Sequence, residues 1–330
     1  MKISQAALAQ LTLLRIKHSM IKRLLLTIKP QTAFASPLAG AMLFGQICWS
    51  IRENYGGKHL SQLLEGYCNG TPFIVCSDAF PHGFLPLPAY PLVHWIRPES
   101  TNKEMKRKKW LPTTRWPHPI ADWHKEARSD REVLQAHYEG DAFISKSAQM
   151  HNSINRMTGT TSAGGMFAPY QSETIQYHPI SLLDVYIDYD DERLVPETIV
   201  QCLSAIGLAG FGRDASIGLG KFLVENSMEV CNQVTSKTVM TLSASVLGGI
   251  GLDDAKTFYN VQTYFGRHGN VRAIGEGPFK KPVLMTRTGA YLSCCHLSCK
   301  PFIGKGVSGL SFYKDTVHQG YASVVNLLED

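Results

Sequence analysis

The first strong pattern along the chain is a β-type apolar run over residues 22–29, KRLLLTIK, which Pro30 closes. Behind Ser36-Pro37, apolar residues recur at the i, i+4 spacing of an amphipathic helix, and proline is favoured in the first turn of a helix. The order of strand, loop and helix opens many α/β sandwiches, among them the ferredoxin-like fold. The apolar helix positions are Leu38, Met42, Leu43, Ile47 and Ile51.

A second unit of similar outline follows His178-Pro179. Residues 181–191, SLLDVYIDYDD, predict a strand, the apolar spacing after Pro196 predicts a helix, and residues 221–230, KFLVENSMEV, alternate as a strand does. A chain of 330 residues is long for one domain, so we predict an α+β protein of two domains, residues 1–178 and 179–330. Further strands are predicted over residues 237–245, 259–264 and 282–292.

The connection between this second helix and its strand, residues 207–222, reads GLAGFGRDASIGLGKF. Glycine-rich segments with a basic residue let backbone N–H groups approach a phosphate. A Walker A loop is excluded because Phe222 follows Lys221, and a dinucleotide site is disfavoured because the loop leaves a helix and enters a strand. A polynucleotide backbone and a long turn with helix-capping glycines both remain open. The candidate residues in the loop over 207–221 are Gly207, Gly210, Gly212, Arg213, Ser216, Gly218, Gly220 and Lys221.

Two more loops combine glycine with basic residues: residues 265–281, FGRHGNVRAIGEGPFKK, and residues 302–309, FIGKGVSG. Three such loops in one chain favour a polyanion as the partner, because they would offer backbone donors and cations to successive phosphates. The candidate phosphate ligands are Arg267, Arg272, Lys280, Lys281 and Lys305.

The segment from residue 151 to residue 178 is polar and rich in Gly, Ser and Thr before it turns aromatic. This pattern predicts a projecting hairpin, with two strand arms around a tip near residues 158–165. Candidate donors at its base are His151, Asn152, Asn155 and Arg156.

The formal charge of +6 is unevenly distributed. Residues 95–135 hold ten Lys/Arg against six Asp/Glu, and residues 262–321 hold eight against two, whereas residues 181–202 hold six acids against one Arg. This asymmetry indicates basic surfaces that suit a polyanion.

The first basic segment is an insertion whose role has two interpretations. KEMKRKK, residues 103–109, precedes the tryptophans at 110, 116 and 123. It is either the solvated face of an inserted helical piece or an insertion that contacts RNA or a partner. The preceding SDAFPHGFLPLPAYP, residues 77–91, is dense in proline and predicts an irregular loop extended over the sheet.

Neither a metal nor a cofactor is expected. The eight cysteines fit a reducing cytosol, and the one dense group has no second ligand pair at zinc spacing, so buried thiols are the better interpretation. That group is Cys294, Cys295, His296 and Cys299.

The N-terminal residues do not resemble a signal peptide, because Arg15, Lys17 and His18 interrupt the apolar run. No apolar run approaches the ~20 residues that span a bilayer, so a cytoplasmic protein without membrane contact is expected. Met20 is an alternative start, which would make residues 1–19 an extension outside the core.

Several segments, in the same order from about residue 22 to the C-terminus, together resemble the RAMP proteins of type III CRISPR effectors. The similarity is strongest to the subunits that cap the 5′ end of the guide RNA in type III-A (Csm) complexes. The extension over 1–19 and the insertion at about 95–135 depart from the family pattern. The segments are LTIKP…SPLAGAMLFGQICWSI, SDAFPHGFLPLP, HNSINRMTG…FAPY, GLAGFGRDASIGLGKF, PFKKPVLMTRTGAYL and GKGVSG…HQGYA.

The resemblance implies two ferredoxin-like, RRM-related domains that face each other, with the repeat-derived 5′ handle of the crRNA held between them. It marks residues 207–221 as a handle-binding element, with Arg213 and Lys221 as phosphate partners. It marks residues 151–170 as a thumb-like hairpin that wedges between nucleotides of the guide–target duplex. An RRM-type sheet reads single-stranded RNA by stacking and base-edge hydrogen bonds.

The resemblance further implies a non-catalytic subunit that joins the large polymerase-like subunit to the backbone subunit. The alternative is a metal-independent ribonuclease that cuts CRISPR repeats, since related RAMP proteins do so. Such cleavage needs a general base and a general acid, often histidine, but no histidine lies in a signature. The histidines weighed are His59, His151, His268 and His318.

A metal nuclease would require converging carboxylates. Asp188, Asp190 and Asp191 lie together in sequence, but adjacent strand residues point to opposite faces. They are expected instead to favour a helix dipole or a basic partner. We therefore expect an RNA-binding structural subunit and no enzyme.

Overall fold

The computed structural model describes residues 21–95, 102–135, 143–161, 168–178, 181–296 and 300–328. Its α-helices are α1 Gly40–Tyr55, α2 Gly57–Leu63, α3 Asn102–Met105, α4 Trp123–Glu126, α5 Asp130–Gln135 and α6 Pro196–Ala209. The strands of its first half are β1 Ile21–Pro30, β2 Ile74–Pro81, β3 Phe84–Pro86, β4 Lys108–Pro112, β5 Arg128–Ser129, β6 Ile144–His151, β7 Tyr170–Tyr177 and β8 Leu183–Asp190. Those of its second half are β9 Phe222–Val230, β10 Thr238–Thr241, β11 Val261–Tyr264, β12 Val283–Thr286, β13 Tyr291–Ser293, β14 Phe302–Gly304, β15 Val307–Ser308, β16 Val317–His318 and β17 Tyr321–Asn326.

The first sheet has the strand order β2-β8-β1-β9, and every neighbouring pair is antiparallel. Along the chain its elements come as β1, α1, β2, β8, α6 and β9, the βαββαβ arrangement of a ferredoxin-like unit. Apolar residues of α1 and α6, such as Ile47 and Leu203, pack with Leu26 of β1 and Ile187 of β8 in one fully buried core. The helices therefore cover one face of this sheet.

The domain boundary predicted near residue 178 falls within the chain span of this sheet. Strand β8 lies after that boundary, yet it pairs with β1 at Leu24↔Ile187 and with β2 at Ile74↔Tyr189. The two strand–helix units of the sequence are thus the two halves of one sheet, and only the insertion between β2 and β8 separates them along the chain.

The second sheet has the order β13-β10-β17-β14. Within the described residues after 230, the only helical segments are short 3-10 turns, so this sheet has no helix layer like that of the first. The α+β class is confirmed, but the two sheets are built differently. The predicted strand over 282–292 is two strands, β12 and β13, with Gly289 at φ 83° in the turn between them.

The second sheet covers the face of the first sheet that the helices leave free. Strand β8 is buried along its whole length, and Tyr186 packs with Met240 and Leu242 of the second sheet region. The side chain of Gln319 accepts from the backbone N of Cys76 at 2.9 Å and donates to its carbonyl oxygen at 2.8 Å. Over β8 and its neighbours β2 and β1, the sheet face on which an RRM-type domain stacks bases is therefore occupied by protein, whereas the edge strand β9 stays largely exposed.

A buried ion pair lies in this interface. Arg23 of β1 donates from Nε and Nη2 to the two carboxylate oxygens of Asp188, at 2.8 and 2.9 Å, and both side chains are buried. Nη2 also donates to the carbonyl oxygen of Pro301, at 3.0 Å, just before β14. The guanidinium group thus joins two strands of the first sheet to the second sheet.

The insertion after β2 is a small folded layer. Its tryptophans Trp95 and Trp123 are buried with Leu111 and Ile120 against the second sheet region. Lys109 pairs with Asp130 at 2.5 Å, and Lys108 pairs with Glu132. The segment thus has a charged outer face over an aromatic core.

The sequence predicts an irregular loop over residues 77–91, but part of this proline-rich stretch forms strands. Its first residues complete β2 and its next residues form β3, which pairs with β4. Pro81 and Pro86 each end a strand, where a missing N–H is tolerated.

Replacing Arg23 with Met is expected to lower the free energy of unfolding by about 3–5 kcal/mol, because Asp188 is left buried without its cation. Lys22→Met is the matched control, since Lys22 is partly exposed and forms only long ion pairs at 3.7 and 3.5 Å. Its effect should stay within about 0.5 kcal/mol. Urea unfolding of the full chain measures both, and equal losses would contradict a special role for Arg23.

Candidate nucleic-acid interface

The glycine-rich loop begins where α6 ends at Gly210, at φ 105°. Phe211 is fully buried and anchors the loop, and its N–H donates to the carbonyl oxygen of Gly220 at 2.9 Å. Gly220 in turn donates to the carbonyl oxygen of Ala33 at 2.8 Å, and the N–H of Lys221 donates to the Thr32 hydroxyl at 2.9 Å. The loop is thus held against the connection between β1 and α1.

Most of the glycines in this loop are required by close packing. A Cβ at Gly207 would lie 2.2 Å from the Phe222 carbonyl oxygen, one at Gly220 would lie 2.2 Å from the Phe211 carbonyl oxygen, and one at Gly212 would lie 2.7 Å from the Ser36 Cβ. Gly218 differs, because a Cβ there would meet nothing within 4 Å. The turn interpretation therefore accounts for much of the glycine content without a ligand.

Arg213 connects the loop to the hairpin of β6 and β7. Its backbone N–H donates to the Ser36 hydroxyl at 3.0 Å. Its guanidinium group lies 3.1 Å from the Asp214 carboxylate and donates to the Ser172 hydroxyl at 3.2 Å and the Glu173 carbonyl oxygen at 2.9 Å. The side chain nevertheless stays 51% exposed, so it both braces the hairpin and presents positive charge to solvent.

The hairpin is longer at its base than the sequence predicts. Its ladder runs from Ile144↔Tyr177 to His151↔Tyr170, so residues 151–170 are the distal end rather than the whole element. The imidazole of His151 stacks on Tyr170, with ring centroids 5.4 Å apart and planes at 16°. The central tip residues, 162–167, lie outside the described residues.

The described part of the tip is exposed and mixes polar with apolar side chains. Asn152, Asn155 and Arg156 lie there, and the Asn155 side chain accepts from the Met157 N–H at 2.9 Å. Met157 is 94% exposed and Met150 is 66% exposed. Long apolar side chains projected into solvent in this way suit insertion between stacked bases.

The hairpin base is held by Phe34, which follows β1. Phe34 and Ile175 exchange backbone hydrogen bonds of 2.8 and 2.7 Å, and the Phe34 ring meets Tyr177 edge-on at 5.4 Å. The hairpin therefore has a fixed root, between the β1–α1 connection and the glycine-rich loop.

A groove with a cavity volume of about 570 Å³ lies at this root. The β1–α1 connection, the hairpin base and Arg213 form its walls. Pockets of about 300–1,000 Å³ hold small ligands, so the groove has room for a nucleotide-sized group. Its charged residues are Lys146, Arg213, Glu173 and Asp78.

The charged groups of the groove differ in how far they are already engaged by protein. Both carboxylate oxygens of Asp78 are occupied, one by the Gly40 N–H at 2.8 Å and the other by the Thr288 hydroxyl. Burial raises the pKa of Asp78. Lys146 is exposed and forms no ion pair within the described residues, so it remains open to an anion.

The other predicted phosphate ligands do not line this groove. Arg272 and Lys280 lie on the far side of α1, around a separate cavity. Arg267 lies over the Phe279 ring at 5.4 Å, Lys281 is exposed, and Lys305 lies against Gly248. The three glycine-basic loops therefore do not form one continuous site. Lys221 and Ser216 are exposed on the glycine-rich loop itself.

The three acidic residues singled out at the end of β8 and just after it have basic partners, as expected: Asp188 pairs with Arg23, Asp190 with Arg193 at 2.6 Å, and Asp191 with Lys22 at 3.7 Å. Within the described part of the chain, no group of three His, Cys, Asp or Glu residues is arranged to hold a metal. Cys299 lies outside that part.

The histidines weighed as catalytic groups have structural surroundings. His268 shares a hydrogen bond of 2.6 Å with Ser311, and burial lowers the pKa of His318 to about 3. His59 lies near the Tyr55 ring.

No helix among the described residues is long and apolar enough to cross a membrane.

Neither a protein-family model nor a curated protein sequence matches the chain. Solved structures do match. A chain of the Csm1–Csm4 cassette in complex with pppApA superposes with a TM-score of 0.55 at 14% identity, over 94% of this chain and 100% of that chain. A chain of the Csm3–Csm4 subcomplex in the type III-A CRISPR-Cas interference complex gives 0.53 at 14% identity, over 90% and 98% of the two chains. This chain has the fold of a type III-A CRISPR subunit.

The Csm1–Csm4 cassette in complex with cA4 gives a similar result, with a TM-score of 0.54 at 14% identity, over 93% of this chain and 100% of that chain. The family resemblance seen in the sequence is thus confirmed at the level of the fold. Because identity is low, roles of individual residues depend on the geometry of this chain.

Sequence reasoning missed three residues that shape the groove: Ser36, Phe34 and Lys146. Ser36 carried a signal, since it precedes Pro37 at the predicted helix start, but its hydroxyl bonds the glycine-rich loop instead of the helix. Lys146 carried no signal, because a single lysine on a strand has no distinctive spacing.

Gly220→Ala is expected to destabilise the protein clearly more than Gly218→Ala. Both residues have positive φ, at 75° and 96°, so both variants incur about 1–2 kcal/mol of left-handed strain. Only Gly220 adds a clash with backbone atoms of Phe211, so its loss should be at least 1 kcal/mol larger on an order-of-magnitude estimate. Urea unfolding measures the difference in the free energy of unfolding. Equal losses for the two variants would contradict the prediction, because they would show that the contact between the added Cβ at position 220 and the Phe211 backbone is relieved at no cost.

Proposed function

We propose that the protein is a non-catalytic, RNA-binding structural subunit of a type III-A CRISPR interference complex. In this role it holds the repeat-derived 5′ handle of the crRNA at the groove beside the glycine-rich loop. The observation that carries the proposal is the meeting of three elements at one groove: the glycine-rich loop, the hairpin root and the β1–α1 connection.

The covered sheet face supports a groove rather than a sheet surface as the RNA site. Single-stranded RNA is bound through phosphate contacts together with stacking on exposed rings. Arg213 and Lys146 supply cations in the groove, and Lys221 lies exposed on the glycine-rich loop. The stacked rings of His151 and Tyr170 lie farther along the hairpin, where a strand leaving the groove would pass.

The partners in this proposal are the large polymerase-like subunit, the backbone subunit and the target RNA near the hairpin tip. Chains of a Csm1–Csm4 cassette and of a Csm3–Csm4 subcomplex share this fold, which supports Csm subunits as the partners. The exposed methionines of the hairpin would contact the guide–target duplex. A subunit that works inside this ribonucleoprotein is expected in the cytoplasm.

The ribonuclease alternative has less support. His268 and His318 are engaged in packing or hydrogen bonding, and neither lines the groove. The proposal therefore assigns no catalytic residue, metal or cofactor. Cleavage of added repeat RNA by the purified protein would favour the alternative.

Lys146→Gln is expected to weaken binding of handle RNA and to reduce the magnitude of the negative salt slope, d(log K)/d(log [salt]), by about 0.7. The reason is the loss of one phosphate contact to a single strand. Lys256→Gln is the matched control, because Lys256 is also exposed but lies outside the groove. Fluorescence anisotropy with handle RNA at several salt concentrations measures both slopes.

A substitution at Arg213 affects the same assay in two ways, because this side chain both carries charge and holds the hairpin through Ser172 and Glu173. Arg213→Lys keeps the charge but loses the forked contacts with Ser172 and Glu173. It should retain the salt slope while weakening binding through a looser hairpin root.

If Lys146→Gln matches the Lys256→Gln control in affinity and slope, the groove does not bind the RNA backbone.

A further inference from the structure

A second cavity, of about 260 Å³, lies on the other side of α1 from the groove. Its walls come from α1, from α2 and from the segment between residues 268 and 317. Trp49, Cys48 and Leu60 give it an apolar and aromatic side, whereas Arg52, Arg272 and Lys280 give it cations. This cavity shares no lining residue with the groove proposed to hold the handle.

The cations of this cavity outnumber its acids. Asp315 is the only carboxylate among the described residues that line it. Asp315 pairs with Arg272 at 3.0 Å and is itself 70% exposed, so its charge is turned toward solvent. Arg272 also lies over the Tyr313 ring at 4.2 Å, and Arg52 lies over the Trp49 ring at 5.1 Å.

The ammonium group of Lys280 has no carboxylate partner among these neighbours. No carboxylate forms an ion pair with it in the described part of the chain. Burial is the main cause that lowers its pKa, and the nearby Arg272 charge lowers it further. Its aliphatic stem lies against Gly266, where an added Cβ would come within 3.0 Å of the Lys280 Cδ. The stem is therefore fixed while the ammonium group has no anion.

Two histidines, His268 and His318, lie near Lys280, and its charge contributes to lowering the pKa of each. The pKa of His268 is lowered by burial and then by Lys280 and Arg272, and the pKa of His318 is lowered to about 3 by burial and Lys280. Both are neutral at pH 7 and add no charge. Arg272 is paired with Asp315, whereas the half-buried Lys280 has no ion pair among the described residues, so the cavity has the chemistry of a site that takes an anion.

We propose that this cavity binds the phosphate group of a nucleotide-sized ligand, held by Lys280 and Arg272 beside the Trp49 ring. Arginine and lysine are the usual phosphate ligands, and an aromatic ring next to them favours a ligand with a flat, polarisable part. The cavity lies just below the usual size range of small-molecule pockets, which favours a single nucleotide over a strand of RNA.

The test is isothermal titration calorimetry of the full chain with AMP and, separately, with inorganic phosphate. Lys280→Met keeps the aliphatic stem and removes the charge, and it should weaken AMP binding by about tenfold or more. Lys281→Met is the matched control, because the neighbouring Lys281 is exposed and does not line the cavity, and it should bind AMP as the unmodified chain does. Without ligand, Lys280→Met should keep or raise the melting temperature, because a half-buried cation without an ion pair is removed.

Arg272→Gln is the second variant, in case Lys280→Met does not fold, and it should also lose AMP binding. Binding of AMP that is unchanged in both variants, or absent from the unmodified chain, would overturn the proposal. If instead handle RNA displaces AMP and Lys280→Met weakens RNA binding, the phosphate comes from the strand and the proposal of a nucleotide-sized ligand fails. The proposal does not depend on the groove, since Lys146 and Lys280 are tested separately.

Discussion

The buried pair of Arg23 and Asp188 is the interaction on which the layout of this protein depends. It lies between the two sheets, and the same guanidinium group reaches the carbonyl oxygen of Pro301 beside β14. Removing the guanidinium group would leave Asp188 buried without a cation and Pro301 without this donor, so the pair favours the arrangement in which the second sheet covers the first. The central strands of the face that an isolated RRM-type sheet would offer to RNA are therefore covered, which is why we propose an RNA site elsewhere.

The glycine-rich loop and the hairpin provide that other place. Glycine at 207, 212 and 220 lets the loop pack against Phe222, Ser36 and Phe211, and Arg213 then extends from the loop to the hairpin. The glycines thus act first as a means of close packing. Any role in RNA binding follows from where that packing puts Arg213 and the groove.

Local patterns in the sequence were sufficient to predict β1, α1, α6 and β9, because each has strong periodicity or a proline at its start. They were insufficient for the domain boundary, since the insertion of β8 between β1 and β2 is decided by pairing across a long sequence distance. The site shows the same limit. The position of the loop was predictable, but the sequence does not reveal that Arg272 and Lys280 face a different cavity from Arg213.

The most direct test of the central claim is to map the contacts of the crRNA on the protein, by ultraviolet crosslinking of the complex purified from cells and mass spectrometry of the crosslinked peptides. The account predicts crosslinks at the 5′ handle nucleotides within residues 31–39, 144–151 and 211–221. Crosslinks confined to the outer face of the insertion, or an RNA-free complex, would contradict it.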